Sequence, residues 1–445
     1  MKQRGRQFKG IILALLLACL TLSSPVRTFF ALPQEKEVVL GERVQLEWRL
    51  PSVIEKQIAW VIHHSHGSSQ IAGVSGGFKA TETGDLCLEL KLFGLIPLKN
   101  INIQVIQPVA VVPGGQSIGI LLHTQGVLVV GEAGIGSLQG AKKYPARLAG
   151  LTVGDVILAV DGKEVSDEQS LAQLIHQAGQ AGREAELLVQ RGERKFTVRV
   201  KPEYCPETGR YRVGLYVRDT TAGVGTLTFY EPVHLLYGAL GHKVAPDYNH
   251  NGLEITGGRI VAAPVQAIHQ GRKGQPGEKV GLLLDNGSFS GVIQKNTAFG
   301  IFGILSHKPS SQFYSEPIPV ALSSQVHPGP AEMLTVLSGE RVERFEVFIE
   351  KVLPQQYNSG KGLVIRISDP RLLKLTGGII QGMSGSPIIQ EGKLVGAVTH
   401  VFVNDPARGY GVLAEWMIKE SGLGEENGAQ ETTRGFVVEL PGSLF

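Results

Sequence analysis

A serine flanked by glycines lies near the end of the chain, within residues 381–387 (QGMSGSP). Glycine tolerates a positive φ and lets a substrate approach the backbone closely. On such a loop the backbone N–H groups of Gly382 and Ser384 are predicted to face an oxyanion that develops during acyl transfer. Two apolar runs with a turn between them follow over residues 388–398, which predicts a strand pair. We therefore predict that Ser384 is a nucleophile and that the amides of Gly382 and Ser384 form an oxyanion hole.

A serine nucleophile needs a base and an acid that orients the base. His242 is the strongest candidate base, because it lies in the small-residue bend YGALGHKV, which would expose an imidazole. Between His242 and Ser384 the aspartates are Asp247, Asp285 and Asp369. Asp285 lies in an Asp-Asn-Gly hairpin turn. The chemistry of the residues alone does not choose between Asp247 and Asp369.

The pattern G-x-S-G-x-P followed by a strand, a turn and a strand resembles the nucleophile loop of chymotrypsin-like serine peptidases. Histidine before aspartate before serine is also the chain order of that class. Residues 204–424 carry many short apolar runs at regular spacing, which is typical of an all-β sandwich or a pair of barrels. The resemblance implies a chymotrypsin-like double β-barrel peptidase domain over residues 204–424, in a chain that is mainly β.

A second motif, PARLAGLTVGDVILAVDG, occupies residues 145–162 and is followed by a helical pattern over 170–178. This stretch resembles the PDZ family and predicts a PDZ-like domain over residues 107–203. In that family a loop offers backbone N–H groups to the terminal carboxylate of a peptide, which then adds as a strand. The resemblance places this peptide-binding loop at Ser117, Ile118, Gly119 and Ile120.

The N-terminal segment, residues 1–32, has five basic residues, no acidic residue and a short apolar run over residues 11–22. This pattern predicts a signal peptide or, if residues 11–31 stay in place, a membrane anchor. The remainder of the 445-residue chain is close to neutral, which argues against a nucleic-acid binder. The 57 glycines do not recur at a fixed period and are typical of a protein with many β-turns.

The two remaining segments carry no recognisable catalytic pattern. Residues 33–106 alternate apolar and polar side chains in short runs and predict a small β-rich domain. Its histidine-rich stretch, 63–66, has no acidic cluster nearby, and no C-x-x-C pair occurs, so we predict neither a metal site nor a cofactor. The tail, residues 425–445, ends in Ser-Leu-Phe, a pattern of PDZ ligands, so docking on a PDZ groove is one hypothesis for it, but an inert end is the favoured interpretation.

Three further stretches extend the resemblance to nearly the whole chain: GTLTFY at 225–230, GALGH at 238–242 and TGGIIQGMSGSP at 376–387. Together with the order of domains they are similar to the stage IV sporulation protein B family, the sporulation signalling serine peptidases of endospore-forming Firmicutes. The resemblance implies a catalytic triad of His242, Asp369 and Ser384, without metal or cofactor.

Members of that family are exported across the forespore membrane into the intermembrane space. They cleave themselves near the N-terminus and then cleave a subunit of a membrane-protein regulatory complex, which leads to activation of a sigma factor. The partners implied are therefore protein or peptide substrates, including the chain itself, and no nucleic acid. Two alternatives stay open at this point: a non-catalytic PDZ-bearing scaffold, and a general quality-control protease, although such proteases usually carry the PDZ domain after the peptidase.

Overall fold

The computed structural model describes residue 27 and residues 32–44, 57–64, 67–72, 77–136, 142–244, 255–284, 287–353 and 360–423. The predicted signal segment other than residues 27 and 32, the aspartates at 247 and 285, and the tail at 425–445 lie outside the described residues. Residues up to Val109 belong to one compact unit and Ala110–Leu423 form another. Among the described residues, no helix has both the length and the apolar character to cross a membrane.

The first unit is a small β-domain, as the alternating pattern predicts. In β6 the side chains of Leu86, Leu88 and Leu90 are buried and lie two residues apart, so that one face of the strand forms the core. Five strands pair in the order β1-β7-β6-β3-β4, and β2 pairs with β5. The strands are β1 (Glu35–Val39), β2 (Arg43–Val44), β3 (Ile58–His64), β4 (Gly67–Ala72), β5 (Phe78–Lys79), β6 (Gly84–Leu92) and β7 (Ile96–Ile106).

The second unit begins with a PDZ domain whose core lies between strands and one helix. Asp167 caps that helix, since its side chain accepts a hydrogen bond from the Ser170 amide, and Leu171 and Ile175 form its buried face. The elements are β8 (Ala110–Pro113), β9 (Ser117–Glu132), β10 (Ile135–Gly136), β11 (Lys142–Lys143), α1 (Pro145–Leu148), β12 (Val156–Val160), β13 (Lys163–Glu164), α2 (Glu168–Gln180), β14 (Ala185–Arg191), β15 (Arg194–Val200), β16 (Glu203–Cys205), β17 (Arg210–Arg212) and β18 (Leu215–Tyr230).

Two barrels follow, and each is closed by strand pairing. The first barrel runs β9-β20-β23-β24-β19-β18 and closes where β18 pairs with β9, and the second runs β26-β27-β28-β31-β30-β29. Their elements are β19 (Leu236–Ala239), β20 (Ile255–Ala262), β21 (Val265–His269), β22 (Glu278–Gly281), β23 (Ser290–Thr297), β24 (Gly300–Leu305), β25 (Ile318–Pro319), a 3-10 turn (Ser323–Gln325), β26 (Gly329–Val336), β27 (Val342–Val352), β28 (Leu363–Ile367), α3 (Pro370–Thr376), β29 (Pro387–Gln390), β30 (Lys393–Phe402), β31 (Asp405–Leu413) and α4 (Ala414–Ser421).

Strands β9 and β18 each serve two domains at once. The first half of β9 and the second half of β18 pair within the first barrel, whereas Val129–Glu132 and Leu215–Val217 pair within the PDZ domain. A barrel strand therefore lies inside the predicted PDZ range of 107–203, and a PDZ strand lies beyond it. The PDZ domain is inserted between two neighbouring strands of the barrel.

This arrangement corrects the prediction for the peptide-binding loop. Ser117, Ile118, Gly119 and Ile120 lie in β9, paired on one side with β18 and on the other with β20. Their backbone groups are therefore engaged in a ladder on both sides, and the side chains of Ile118 and Ile120 are buried. The segment has no unpaired edge to offer to a peptide.

The unpaired edge beside the PDZ helix belongs to β18. Leu215 and Val217 pack with Leu171 and Ile175 of α2 in one core. Residues 215–218 pair with β9 on one side, and among the described residues no strand pairs with their other side. The groove between β18 and α2 is thus a part of this domain that can accept an added strand.

Asp155, which follows Gly154 in the PDZ motif, has a structural role. Asp155 is almost fully buried, accepts hydrogen bonds from Nε and Nη2 of Arg191 at 2.6 and 2.7 Å, and also accepts one from the Thr152 amide. Asp155→Ala should lower the free energy of unfolding by about 2–3 kcal/mol, because it removes charge-assisted hydrogen bonds from a buried position. Denaturant unfolding measures this loss.

Arg199→Ala is the matched control for that prediction. Its partner Glu186 lies on the neighbouring strand, and both side chains are largely exposed, so the loss should stay below about 1 kcal/mol. Equal losses in the two variants would contradict a buried structural role for Asp155.

Candidate active site

The loop that carries Ser384 is fastened to the first barrel by two buried threonines of β18. The hydroxyl of Thr226 donates to the Gly382 carbonyl and that of Thr228 donates to the Gly385 carbonyl, each at 2.8 Å. The backbone N–H of Thr226 also donates to the Ser384 carbonyl at 2.9 Å. Both threonines are fully buried, so these bonds are shielded from competition with water. The loop of one barrel is thereby shaped by a strand of the other.

Most backbone groups of this loop are already engaged, and two amides are not. The N–H groups of Met383, Gly385 and Ser386 donate to the carbonyls of Ile380, Val398 and Met383. Within the described residues, the N–H groups of Gly382 and Ser384 donate to no acceptor. Gly382 has a φ of +89°, a conformation that favours glycine. Two unengaged amides on a fixed loop are the arrangement that an oxyanion requires.

The two serines of the loop differ in their surroundings. Ser384 is half-buried and its hydroxyl donates to the carbonyl of Thr399 at 2.8 Å. Ser386 is fully buried, and its hydroxyl donates to Thr335 at 3.1 Å. A substrate can reach only the first of these hydroxyls, so the accessible nucleophile of the loop is Ser384.

His242 lies in a tight bend whose backbone fixes its tautomer. Leu240 and Gly241 have φ angles of +69° and +73°, and Nδ1 of His242 lies 2.9 Å from the carbonyl of Lys243. A carbonyl oxygen only accepts, so Nδ1 carries the proton and Nε2 keeps its lone pair. Burial lowers the pKa of His242 below 6.5, which favours the neutral form. The ring is thus in the form that can take up a proton.

The bend of His242 packs directly on the loop of Ser384. A Cβ at Gly385 would lie 2.5 Å from the backbone nitrogen of Leu240, and one at Gly241 would lie 2.8 Å from Cγ2 of Thr399. Thr399 is the residue whose carbonyl binds the Ser384 hydroxyl. The structure therefore places the bend that carries His242 against the loop that carries Ser384, across the two barrels.

A second histidine, which no sequence pattern singles out, lies beside His242. The ring centroids of His242 and His400 are 5.1 Å apart at an interplanar angle of 44°. Partial burial, followed by the nearby His242 and Lys361, lowers the pKa of His400 to about 4. His400 lies on β30 directly after Thr399. It approaches His242 only because the fold brings β30 and the bend of His242 together, so the sequence alone does not point to it.

The carboxylate of Asp369 is engaged as a helix cap in the described structure. It caps α3 by accepting from the amides of Arg371 and Leu372 at 2.8 and 3.0 Å, and the Glu346 amide lies 3.4 Å from its other oxygen. Within the described residues no hydrogen bond joins Asp369 to His242. The other candidate acid, Asp247, lies outside the described residues. The identity of the orienting acid stays a prediction.

Among the described residues, no group of three or more histidine, cysteine, aspartate or glutamate side chains could hold a metal ion. His63 of the histidine-rich stretch instead lies 2.8 Å from a carboxylate oxygen of Glu89.

Two family models match parts of the chain. Residues 209–418 match the model described as SpoIVB peptidase S55, and residues 137–191 match the model of the PDZ domain. No curated protein matches the chain.

Solved structures with a detectable likeness include forms of the Rv3671c protease of M. tuberculosis. A mutant inactive form is 16% identical over 47% of this chain and 85% of that chain, with a TM-score of 0.26. The active form is 15% identical over 46% of this chain and 74% of that chain, with a TM-score of 0.25.

The variant Gly385→Ala tests how closely the loop of Ser384 packs against β18 and the bend of His242. A Cβ there would lie 2.1 Å from the Thr226 carbonyl oxygen, so Gly385→Ala must push the loop off β18. We expect a lower melting temperature and loss of reaction of Ser384 with a fluorophosphonate, read by intact mass spectrometry.

Gly392→Ala is the control, because Gly392 also has a positive φ, +74°, but a Cβ there meets nothing within 4 Å. It should cost only the backbone strain, about 1–2 kcal/mol, and leave labelling unchanged. If both variants were labelled alike, the fit at Gly385 would not matter for the site.

Proposed function

We propose that this chain, whose residues 209–418 form a SpoIVB-type S55 peptidase domain, is an exported serine endopeptidase that acts in sporulation signalling. In this proposal it first cleaves itself and then cleaves a subunit of a membrane-protein regulatory complex, which leads to sigma factor activation. The observation that carries the catalytic part is the loop of Ser384, where an accessible hydroxyl lies beside two unengaged amides.

The proposed reaction is acyl transfer through a covalent intermediate. Ser384 turns its hydroxyl from the Thr399 carbonyl to Nε2 of His242, gives up its proton there, and attacks a peptide carbonyl carbon. The carbonyl oxygen becomes the oxyanion, which the amides of Gly382 and Ser384 stabilise. The protonated His242 then protonates the departing amine. Water next attacks the acyl group: His242 takes a proton from the water and returns it to the oxygen of Ser384, which releases the acid product.

The role of Asp369 belongs to the proposal and rests on the resemblance. A carboxylate on the Nδ1 side of His242 would hold the tautomer and stabilise the imidazolium. In the described conformation the Lys243 carbonyl holds this tautomer. In the described conformation Asp369 caps a short helix, where its Oδ1 accepts from the amides of Arg371 and Leu372.

The proposed site of action is the space between the two membranes of the developing spore. The basic and apolar N-terminal segment supports export, and residues 11–31 would anchor the protein if they are kept. The PDZ domain fits a peptidase that selects protein substrates, since its open strand edge can bind an extended peptide by main-chain hydrogen bonds.

Ser384→Ala tests the proposed reaction. The variant should lose both fluorophosphonate labelling and cleavage near its own N-terminus, because no other accessible hydroxyl of the loop can replace the nucleophile. Intact mass spectrometry of the purified full chain measures both.

Ser386→Ala is the comparison two residues away: it should still take the label to full occupancy, because its fully buried hydroxyl is not the nucleophile, although the lost bond to Thr335 should slow the reaction. Self-cleavage that persists unchanged in Ser384→Ala would exclude this serine as the nucleophile. An unlabelled and uncleaved wild-type chain would instead favour the non-catalytic scaffold.

Asp369→Asn separates a catalytic carboxylate from a helix cap. Asparagine caps a helix about as well as aspartate, so the melting temperature should change little. If Asp369 orients His242, the acylation rate of Ser384 should fall by about 10⁴-fold, as for a triad that holds the wrong tautomer. Stopped-flow labelling measures the rate.

Asp247→Asn, made in parallel, decides between the two candidate acids. Asp369 would be only a helix cap if Asp369→Asn kept full activity and Asp369→Ala lost activity only as far as its melting temperature fell.

A further inference from the structure

We propose that Lys279 is a positioning residue of the peptidase site: its buried side chain supports the loop of Ser384 from below and keeps the Gly382 and Ser384 amides in place. This inference rests on the proposed function. Lys279 lies on β22, in a hairpin that neither the motif nor the resemblance singles out.

The backbone around Lys279 is paired with the start of the loop. The N–H of Lys279 donates to the Gln381 carbonyl at 2.9 Å, and the N–H of Gln381 donates to the Gly277 carbonyl at 2.8 Å. Glu278 and Gln381 form a parallel bridge. Gln381, directly before Gly382, is therefore paired with β22. This pairing sets the direction in which the loop of Ser384 begins.

The aliphatic part of the Lys279 side chain packs directly against Gly382. A Cβ at Gly382 would lie 3.0–3.2 Å from Cβ, Cδ and Cγ of Lys279, so the glycine backbone rests on the lysine stem with no room to spare. Thr226 holds the Gly382 carbonyl from the side of the first barrel. Gly382 is thus fixed between the two, and its amide has little freedom to turn.

The amine of Lys279 ends in a buried polar cluster under the same loop. Its Nζ donates to the Thr335 hydroxyl at 2.7 Å, and Ser386 donates to the same oxygen at 3.1 Å. Lys279, Thr335 and Ser386 are all buried. Because Ser386 belongs to the loop and Thr335 to β26, the lysine joins the loop to the core of the second barrel.

This amine is costly to bury, and charged neighbours do not offset the cost. Among the described residues no carboxylate forms an ion pair with Lys279. His269 pairs with Glu278 on the hairpin, and Glu332 of β26 pairs with Arg344. Burial lowers the pKa of Lys279 from 10.5 to about 7. An apolar side chain of equal length would be more stable there, so a stabilising role does not account for the amine.

The decisive experiment compares Lys279→Met with the wild-type full chain. Methionine keeps the length of the stem but loses the bond to Thr335, so the loop should loosen while the barrels stay folded. We expect a 10- to 100-fold fall in the rate of fluorophosphonate acylation, because a small misplacement of oxyanion donors is enough for this. Hydrogen exchange of a peptide covering 377–390, followed by mass spectrometry, should be about tenfold faster.

The stability of the same variant shows whether the amine of Lys279 contributes to folding. The unfolded chain binds a proton at Lys279 up to pH 10.5 and the folded chain only up to about 7, so wild-type stability gains from this group as pH rises between these values. In Lys279→Met this gain should vanish, and the melting temperature at pH 7 should equal or exceed that of the wild type.

Lys273→Met is the matched control, since Lys273 is exposed in the turn of the same hairpin, and it should leave every readout unchanged. Wild-type acylation and exchange in Lys279→Met would overturn the proposal, as would a fall in activity that simply follows a fall in melting temperature. If Lys279→Met does not fold, Thr335→Val, which removes the shared acceptor of Lys279 and Ser386 and keeps the lysine stem, decides by acylation and hydrogen exchange. If the wild-type chain itself takes no label, the proposed function fails, and hydrogen exchange still decides on Lys279.

Discussion

The attachment of the Ser384 loop to β18 is the interaction on which the rest of the site depends. Thr226 and Thr228 bind carbonyls of a loop that lies more than 150 residues later in the chain. Without these bonds three carbonyls of the loop would be buried without partners, at about 1–3 kcal/mol each. The loop therefore adopts its shape only when the two barrels are docked, and the site does not exist in either barrel alone.

The interface between the barrels is polar where most barrel cores are apolar. Thr226, Thr335, Ser386 and Lys279 form one buried cluster, whereas the second barrel is otherwise filled by side chains such as Met333 and Phe345. A polar cluster has few arrangements in which every group is bonded, while apolar side chains pack in many ways. The apolar cores thus supply most of the stability, and the polar cluster determines the position of the loop.

Local sequence patterns predicted the parts of the site that are local. The glycines around Ser384 and the bend at His242 are short-range signals, and the structure places the two segments against each other. His400 and Lys279 escaped notice because their surroundings are made by strands far apart in the sequence. Asp369 follows β28 and caps the helix that begins at Pro370.

Strand spacing predicted an all-β sandwich or a pair of barrels, and the resemblances to chymotrypsin-like peptidases and to the PDZ family implied the double barrel and the PDZ domain. The insertion of the PDZ domain between two barrel strands could not be predicted from these patterns. Ser117–Ile120 has an apolar alternation that fits a PDZ strand and a barrel strand equally well, and only its partners β18 and β20 decide.

Strand β18 runs for 16 residues with a different neighbour at each end. Its first residues line the groove beside α2, and its Thr226 and Thr228 hold the loop of Ser384. A groove ligand that shifts the far end of this strand would also change the position of the loop. In that case thermodynamic reciprocity requires that an inhibitor bound at Ser384 changes the affinity of the groove for that ligand by the same factor.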